Sequence, residues 1–564
     1  MQPEYHSSPL PYGGILRKGN TNMISYTVRN ALEYRQLINR NHIIHTFVAM
    51  EAKSDRHTGE TVTGYGWNPA FGEIFMPVYT QSFMTDYVER GRLNPNITNR
   101  ITRVASFMGT LSYTYSGKYV FNASLRSDGS NKFGSDPRYR WLPTWMMSGM
   151  WNITEENFMK NNFFWLDNLS LRGSYGLQGN MHDQLTPNLI ARFGGRDSRS
   201  GLEYFTIHRL PNPELRWEKT SSWNVGLDFS IFNRLSGGVD LYRKYTQDLI
   251  MDKYVPTNNG RSQLFFNAGA MTNYGIEGTL NYEIIDNPIW RLRLGATFGR
   301  NVNEITLAND DAFTNVELHG QLLSGTLAVR GAPMGAMYSY QFAGLSAENG
   351  HPMFYDEDGR VVHMGDPTLM RLIYSGSIFP KLYGGFDINA SYRRRITVSL
   401  GFTYNVGNVK RLPSVYEGGG SRVFDQYRNV SIQHINRWRN PGDERHTNIP
   451  ALVDRDIIQE IRGNPELNTM RRERSNFSDP PYFYDLSDLR VARGDFLKLR
   501  SVRIGYVLPR HVQERIGASN IRINLQILNL FTIADKRWEG VDPESANARI
   551  PNLPTYTLGV SLNF

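Results

Sequence analysis

Chemistry in a chain is first sought where carboxylates, histidines or cysteines stand close together, and this 564-residue sequence offers few such places. It has no cysteine, which excludes disulfides, zinc–thiolate sites and cysteine nucleophiles. His42 and His45 are three apart. That spacing chelates a metal on a helix, but on a strand it sends the two rings to opposite faces. Residues 128–134 and 356–359 have the outline of calcium loops. Neither carries the acidic ligands, and the twelfth position is Tyr139 or Pro367 where such a loop needs glutamate. Glu155 and Glu156 are neighbours in a turn, which does not place two carboxylates across a scissile bond. The glycines of GSYGLQG at 173–179 fall at a strand end, with no helix N-terminus to hold a phosphate. No catalytic residue, metal site or cofactor is therefore expected, and the chain is not read as an enzyme. Aromatic side chains remain. Trp67, Tyr416, Trp438 and Trp538 stand in long connections and are expected to be exposed substrate-contact candidates, since sugar rings stack on such faces and peptides are gripped by them. The alternative for each is packing of loop against loop. Arg437, Arg439, Asp443 and Glu444 are open between partner contacts and solvated charges.

Composition narrows the elements that must position these residues. Basic residues number 62 and acidic ones 53, a net charge of +9 without the dense basic stripe that nucleic acid demands. Wholesale disorder is excluded by 31 Tyr, 29 Phe and 10 Trp. No run of about 18 apolar residues exists, so membrane-spanning helices are excluded too. The 51 glycines and 27 prolines are scattered, and no linker divides the chain. Residues 1–20 are polar and proline-bearing, so no signal peptide is expected there.

The dominant pattern has a period of two, the mark of a strand with two unlike faces. Trp223, Val225, Leu227, Phe229 and Ile231 alternate with Asn224, Gly226, Asp228 and Ser230. Ile396, Val398, Leu400, Phe402 and Tyr404 alternate with Thr397, Ser399, Gly401 and Thr403. Many such segments run for about 10 residues or more, the length a tilted membrane-spanning strand needs. Their polar face mixes small and charged groups, including Asp240, Arg291, Arg293, Asp387 and Arg522, as a wet lumen would. Tyr, Trp and Phe gather near segment ends, where interfacial girdles sit.

About fifteen strands are expected, near 22–36, 42–52, 100–115, 118–128, 141–152, 165–177, 217–231, 235–249, 267–285, 289–302, 381–393, 395–406, 494–508, 519–531 and 555–564. Their connections mostly alternate short and long. The long ones are 53–99, 178–216, 303–380, 407–493 and 532–554, while 129–140 and 153–164 are intermediate. Outer-membrane barrels keep short turns on the periplasmic side and long loops outside, whereas a soluble meander has no reason to do so. The expected fold is therefore all-β, a membrane-spanning antiparallel β-barrel. An odd strand count makes it an incomplete one, because single-chain bacterial barrels have even numbers. The last strand sets Tyr556, Leu558, Val560, Leu562 and the terminal Phe564 on one face.

Several stretches, in order along the chain, resemble the barrel of SusC/RagA-type TonB-dependent outer-membrane transporters of Bacteroidetes. They are LRSDGSNKF (125–133), RYRWLPTWMMSGMWNITEENF (138–158), LRGSYGLQGN (171–180), NPELRWEKTSSWNVGLDF (212–229), YRKYTQDLIM (242–251), NAGAMTNYGIEGTLNY (267–282), PKLYGGFDINASY (380–392), RWRNPGDE (437–444), GDFLKLRSVRIGYVLP (494–509) and NLFT (529–532). The resemblance implies a barrel of about 22 strands around a plug. It implies import of glycans or oligopeptides, a SusD-like surface lipoprotein over the mouth, and the TonB complex acting on a segment ahead of the plug. Residues 1–564 match only the C-terminal barrel part of that pattern. Neither a plug domain nor the first strands, about seven of them, is found, so a fragment, a split product or a decayed copy is expected. The terminal aromatic strand resembles the signal read by the outer-membrane assembly machinery, and the expected location is the bacterial outer membrane, with its lipid as a partner. The rivals are a siderophore or vitamin receptor, a passive porin, a non-functional relic, and a soluble multi-domain β protein.

Overall fold

Side chains that alternate between apolar and polar need two different solvents on the two faces of one sheet. The computed structural model describes residues 13–75, 93–132, 140–180, 187–197, 199–254, 263–308, 319–363, 370–416, 431–452, 480–546 and 552–564. Tyr139 and Pro367 lie outside these. Fifteen strands follow one another in a single antiparallel path. They are β1 Gly14–Ile38, β2 His42–Asn68, β3 Asn96–Tyr115, β4 Tyr119–Ser130, β5 Trp141–Asn152, β6 Leu166–Asn180, β7 Glu218–Ile231, β8 Leu235–Tyr254, β9 Gln263–Asp286, β10 Trp290–Leu307, β11 Leu382–Tyr392, β12 Ile396–Val406, β13 Phe496–Val507, β14 Asn520–Ala534 and β15 Thr555–Asn563. A two-residue strand, Ile74–Phe75, folds back on the end of β2. The sheet does not close: β1 pairs only with β2, and β15 only with β14, among the described residues.

Register shows which residues share a face, because directly opposed partners lie on the same side. Val225, Leu241, Ile276 and Arg300 form one row, and Leu227, Val239, Gly278 and Phe298 the next. At the other end of the wall Leu294, Ile388, Leu400, Val502, Ile527 and Tyr556 line up. This apolar face is solvent-exposed, with Leu558 at 71% and Val560 at 59%. In a bilayer it is the lipid-facing surface. The opposite face carries Arg172, whose Nε donates to Asp228 Oδ2 at 2.6 Å and whose Nη2 donates to Asp240 Oδ2 at 3.2 Å. Gly226 lies between them, and a Cβ there would stand 2.5 Å from Asp240 Oδ1. Glycine at this lumen position is what lets the ion triad lie flat against the wall.

Seven connections fall at one end of the sheet: the short 39–41, 116–118, 232–234, 287–289, 393–395 and 508–519, and the intermediate 153–165. Several turn through left-handed residues such as Asn39, Arg40, Phe232 and Asn233. Aromatic rings gather at this end: Trp290 and Tyr392 are 4.6 Å apart, and Trp165 and Phe232 are 6.3 Å apart. The long connections all leave from the other end.

Two expectations about strand length require correction. β1 begins at Gly14 rather than near 22, and β2 continues to Asn68 rather than ending near 52. The added part of β2, KSDRHTGETVTGYGWN, is polar on both faces. The 27 residues of the whole of β2 span roughly 70 Å along the barrel axis at the usual rise and tilt, more than twice the height of an apolar band. The upper wall therefore stands in water on both sides, and hydrophobic alternation stops where the lipid does.

Candidate functional site

The described parts of the connections 308–381, 407–495 and 535–554 leave the wall from neighbouring strands and fold against one another at its long-loop end. Here lies most of the buried apolar core of the described residues. Leu323, Tyr340, Phe354, Met370 and Phe483 form one cluster, and Val415, Tyr416 and Tyr484 another. Small strand pairs stiffen the assembly: Ala336–Tyr340 with Leu372–Ser377, and Val409–Arg411 with Val491–Arg493. A buried polar framework ties the loops together. Arg411 Nη2 donates to the carbonyls of Tyr338 at 2.7 Å and Leu323 at 3.0 Å. Asp485 accepts from the backbone N–H of Val415 and of Tyr416, each at 2.9 Å. Lys498, rising from β13, pairs with Asp542 at 2.5 Å and also with Glu544.

The four aromatic candidates do not share one surface. Exposure fails for three of them. Tyr416 is 2% exposed, Trp438 8% and Trp538 2%, so each packs loop against loop. Tyr416 donates its hydroxyl to the Pro450 carbonyl at 2.6 Å, and Trp438 packs on the adjoining Ala451. Burial drives the Tyr416 hydroxyl far above the ordinary phenol range. Trp538 belongs to a separate cluster with Leu412 and Ala492, and its Nε1 donates to the Arg493 carbonyl at 2.7 Å. These rings bury because each has a polar tip that finds an acceptor inside the assembly, a backbone carbonyl for Tyr416 and Trp538 and the Glu444 carboxylate, at 3.2 Å, for Trp438. Trp67 is half-buried at the loop end of β2, with its ring 5.0 Å from that of Phe75.

The remaining motifs are structural. RWRNPGDE closes on itself: Asp443 accepts from the N–H of Asn440 at 2.9 Å and of Arg439 at 3.0 Å, and those bonds hold its carboxyl below the usual range. Glu156 accepts from Lys118 Nζ at 2.8 Å and Tyr119 Oη at 2.6 Å, while Glu155 turns away to Lys160. His42 meets Tyr113 Oη at 2.8 Å, and His45 meets Glu33 at 2.8 Å on the other face. Asp356 receives the N–H of Arg360 at 2.7 Å in a tight turn. No group of three metal-ligating side chains occurs among the described residues.

What the assembly does offer is a cleft of about 760 Å³ between the described parts of the three connections. It is lined by Leu323, Met337, Lys410, Arg411, Glu544 and Asn552, a mixture of apolar walls and hydrogen-bonding groups. Such a lining binds a polar, flexible ligand by many modest contacts, and it holds no paired nucleophile and base. Sequence reasoning missed Arg411, Asp485, Arg490, Lys498 and Asp542. A lysine in the polar half of an alternating strand reads as one lumen charge among many, and its burial is set by a loop 44 residues away in sequence.

Comparison with known proteins decides the family. Residues 11–416 match the model of the TonB dependent receptor-like beta-barrel. The chain belongs to the TonB-dependent receptor family. TonB-dependent receptor P39 of Formosa agariphila is 26% identical over 91% of this chain and 52% of its own length. TonB-dependent receptor SusC of Bacteroides thetaiotaomicron is 31% identical over 82% of this chain and 44% of its own. The solved RagAB peptide transporter superposes with a TM-score of 0.74 at 24% identity, covering 99% of this chain and 57% of that one. As a TonB-dependent receptor barrel the chain is an outer-membrane protein, and its curated relatives are receptors rather than enzymes. A soluble multi-domain β protein is thereby excluded. The chain spans about half the length of the curated relatives it matches.

Proposed function

We propose that residues 1–564 are the C-terminal wall of a SusC/RagA-like TonB-dependent importer that carries glycans or oligopeptides across the outer membrane. Import is through binding and gating, with no covalent chemistry. A SusD-like lipoprotein seats on the loop assembly, and the TonB complex acts through the N-terminal region of a longer protein. The observation that carries this reading is the folding of three long loops into one cored body above the mouth. Loops of a passive pore have no need of a shared core, whereas a surface that receives a lipoprotein and opens with it must move as a unit. The unpaired edges of β1 and β15 support a wall completed by further strands, since each unsatisfied backbone group in lipid costs several kcal/mol. Tyr556, Leu558, Val560 and Leu562 on the outer face of β15, with Phe564 just beyond its end, are proposed as the recognition signal for the assembly machinery.

The test uses native outer membranes. An antibody raised to the 431–452 loop is expected to detect a protein near twice the 64.7 kDa of this chain, and to co-precipitate a surface lipoprotein. Deleting the gene is then expected to abolish growth on one polymeric glycan or oligopeptide source and to leave growth on its monomers intact. A band at 64.7 kDa with no companion lipoprotein, together with unchanged growth on every polymer, would sink the importer reading.

A further inference from the structure

The outward face of a barrel in lipid is expected to be apolar, with aromatic girdles at its two edges. On β10 the outward positions after the girdle residue Trp290 are Leu292, Leu294, Ala296 and Phe298, and the next is Arg300. Ten residues separate Trp290 from Arg300. At the usual rise and tilt this places Arg300 roughly 25 Å above the turn-side girdle, the height of one apolar band. Arg300 therefore stands at the outer-leaflet headgroups. One row further out, Tyr175, Trp223, Arg243, Tyr274 and Val302 lie directly opposite one another across five strands. Arg243 is thus set between two girdle aromatics.

Trp223, Leu241, Arg243, Tyr274, Ile276 and Arg300 line an outward-facing cleft of about 850 Å³. Trp223 is 42% exposed, Leu241 47% and Tyr274 48%, and both arginines are exposed. Neither arginine makes an ion pair or side-chain hydrogen bond among the described residues. Glu304 also faces outward, one row beyond Arg243 toward the water. An unpaired guanidinium on a lipid-facing wall is costly unless an anion in the membrane meets it, and the planar fork of arginine is matched to phosphate. Apolar positions below, aromatic rings beside and two guanidinium groups above make a surface graded from acyl chain to sugar to phosphate.

We propose that this cleft holds the phosphorylated headgroup of an outer-leaflet glycolipid of the lipid A type. Arg243 and Arg300 take its phosphate, Trp223 and Tyr274 its sugar face, and Leu241 and Ile276 the first methylenes of its chains. The reading needs only the outer-membrane barrel and stands whether or not the importer proposal does.

The test is binding of monophosphoryl lipid A to the full chain, purified from outer membranes in detergent. Dephosphorylated lipid A, phosphatidylglycerol and inorganic phosphate serve as comparisons. Monophosphoryl lipid A is expected to bind at least tenfold more tightly than its dephosphorylated form, and inorganic phosphate is expected not to displace it. The Arg243→Gln/Arg300→Gln double variant is expected to lose about tenfold, each single variant about threefold, and a turn-side Arg510→Gln/Arg515→Gln variant nothing. The singles keep the question answerable if the double fails to fold. Equal binding of the two lipid A forms, or an equal loss in the turn-side variant, overturns the proposal. So does phosphatidylglycerol that binds as tightly as monophosphoryl lipid A, or displacement by inorganic phosphate.

Discussion

Lys498 is the contact through which the wall holds the outermost loop, and removing it gives a measurable opening. Its ammonium is 3% exposed and meets Asp542, whose side chain is 8% exposed, and Glu544, whose side chain is 44% exposed. The exposed Glu544 pair is worth little because water screens it and can replace it. The buried Asp542 pair decides the magnitude. In Lys498→Met the methionine fills similar volume, but Asp542 is left as a buried charge without its cation, at a cost of about 3–5 kcal/mol. Asp542 also accepts the Glu544 N–H at 3.0 Å, and that bond remains. Amide exchange in 535–546 is the assay, since local opening governs exchange there while the wall stays folded. The expected acceleration is about 100-fold to several thousand-fold, at roughly 1.4 kcal/mol per factor of ten, capped by the free energy at which this loop opens in the unaltered protein. In the Lys498→Met/Asp542→Asn double variant the charge is gone, and most of the protection is expected to return. Exchange unchanged in the single variant, or a double variant as loose as the single, would refute the argument that a desolvated carboxylate holds the loop.

Leu400 lies four residues above Ile396, which pairs with the girdle residue Tyr392, so it sits about 10 Å into the apolar band. Leu400→Arg is expected to destabilise by about 2–4 kcal/mol, and the lumen-facing Ser399→Arg by under about 1 kcal/mol, read from denaturant unfolding in lipid vesicles. Equal costs would mean that the two faces are wrongly assigned. Gly226→Val forces a Cβ to within 2.5 Å of Asp240 Oδ1 and 2.9 Å of Arg172 Nη2 and is expected to cost about 1–3 kcal/mol. Gly173→Val, on the lipid side with nothing within 4 Å, is expected to be close to neutral in the same denaturant-unfolding assay. His434 donates Nε2–H to the Val415 carbonyl at 2.9 Å and keeps a buried Nδ1 with no hydrogen-bond partner, and burial pushes its pKa below the ordinary 6.5. The opened state therefore binds more protons than the folded one, and stability rises with pH. Its contribution is complete above pH 6.5 and is lost as pH falls toward the lowered value, so protease cleavage of 431–452 is expected to quicken at acid pH in the native chain but not in His434→Gln.

The wall was legible because two solvents write a period of two into every segment that crosses lipid. Each of the fifteen expected strands has its counterpart, and β5 at Trp141–Asn152 and β12 at Ile396–Val406 agree to within a residue. The reading stopped where the physics did. Above the membrane β2 has water on both faces, and DRHTGETVT carries no alternation to mark it as strand. The loop core was illegible for a different reason. Leu323 and Tyr340 pack against Phe483, more than 140 residues further on, and the short strand Ala336–Tyr340 is buried on both faces, so it carries no alternation to read. For the same reason the exposure of Tyr416, Trp438 and Trp538 could not be judged: an aromatic in a long loop looks alike whether it meets water or another loop. The two outward arginines were visible as residues on β8 and β10, but only the register shows that they flank one cleft.

The two free edges differ greatly in length, and that difference sets an order of assembly. β1 offers 25 residues and β15 only 9. Half of the backbone groups on each point outward, so about a dozen residues are ready to pair on one side and about four on the other. If further strands complete the wall as proposed, about three times as many backbone hydrogen bonds hold them at the first seam as at the second. The first behaves as a permanent weld and the second as a clasp. Strain on the finished cylinder would part it beside β15, where a single cysteine on each side, in a chain that has none of its own, would show by disulfide formation whether the clasp is shut.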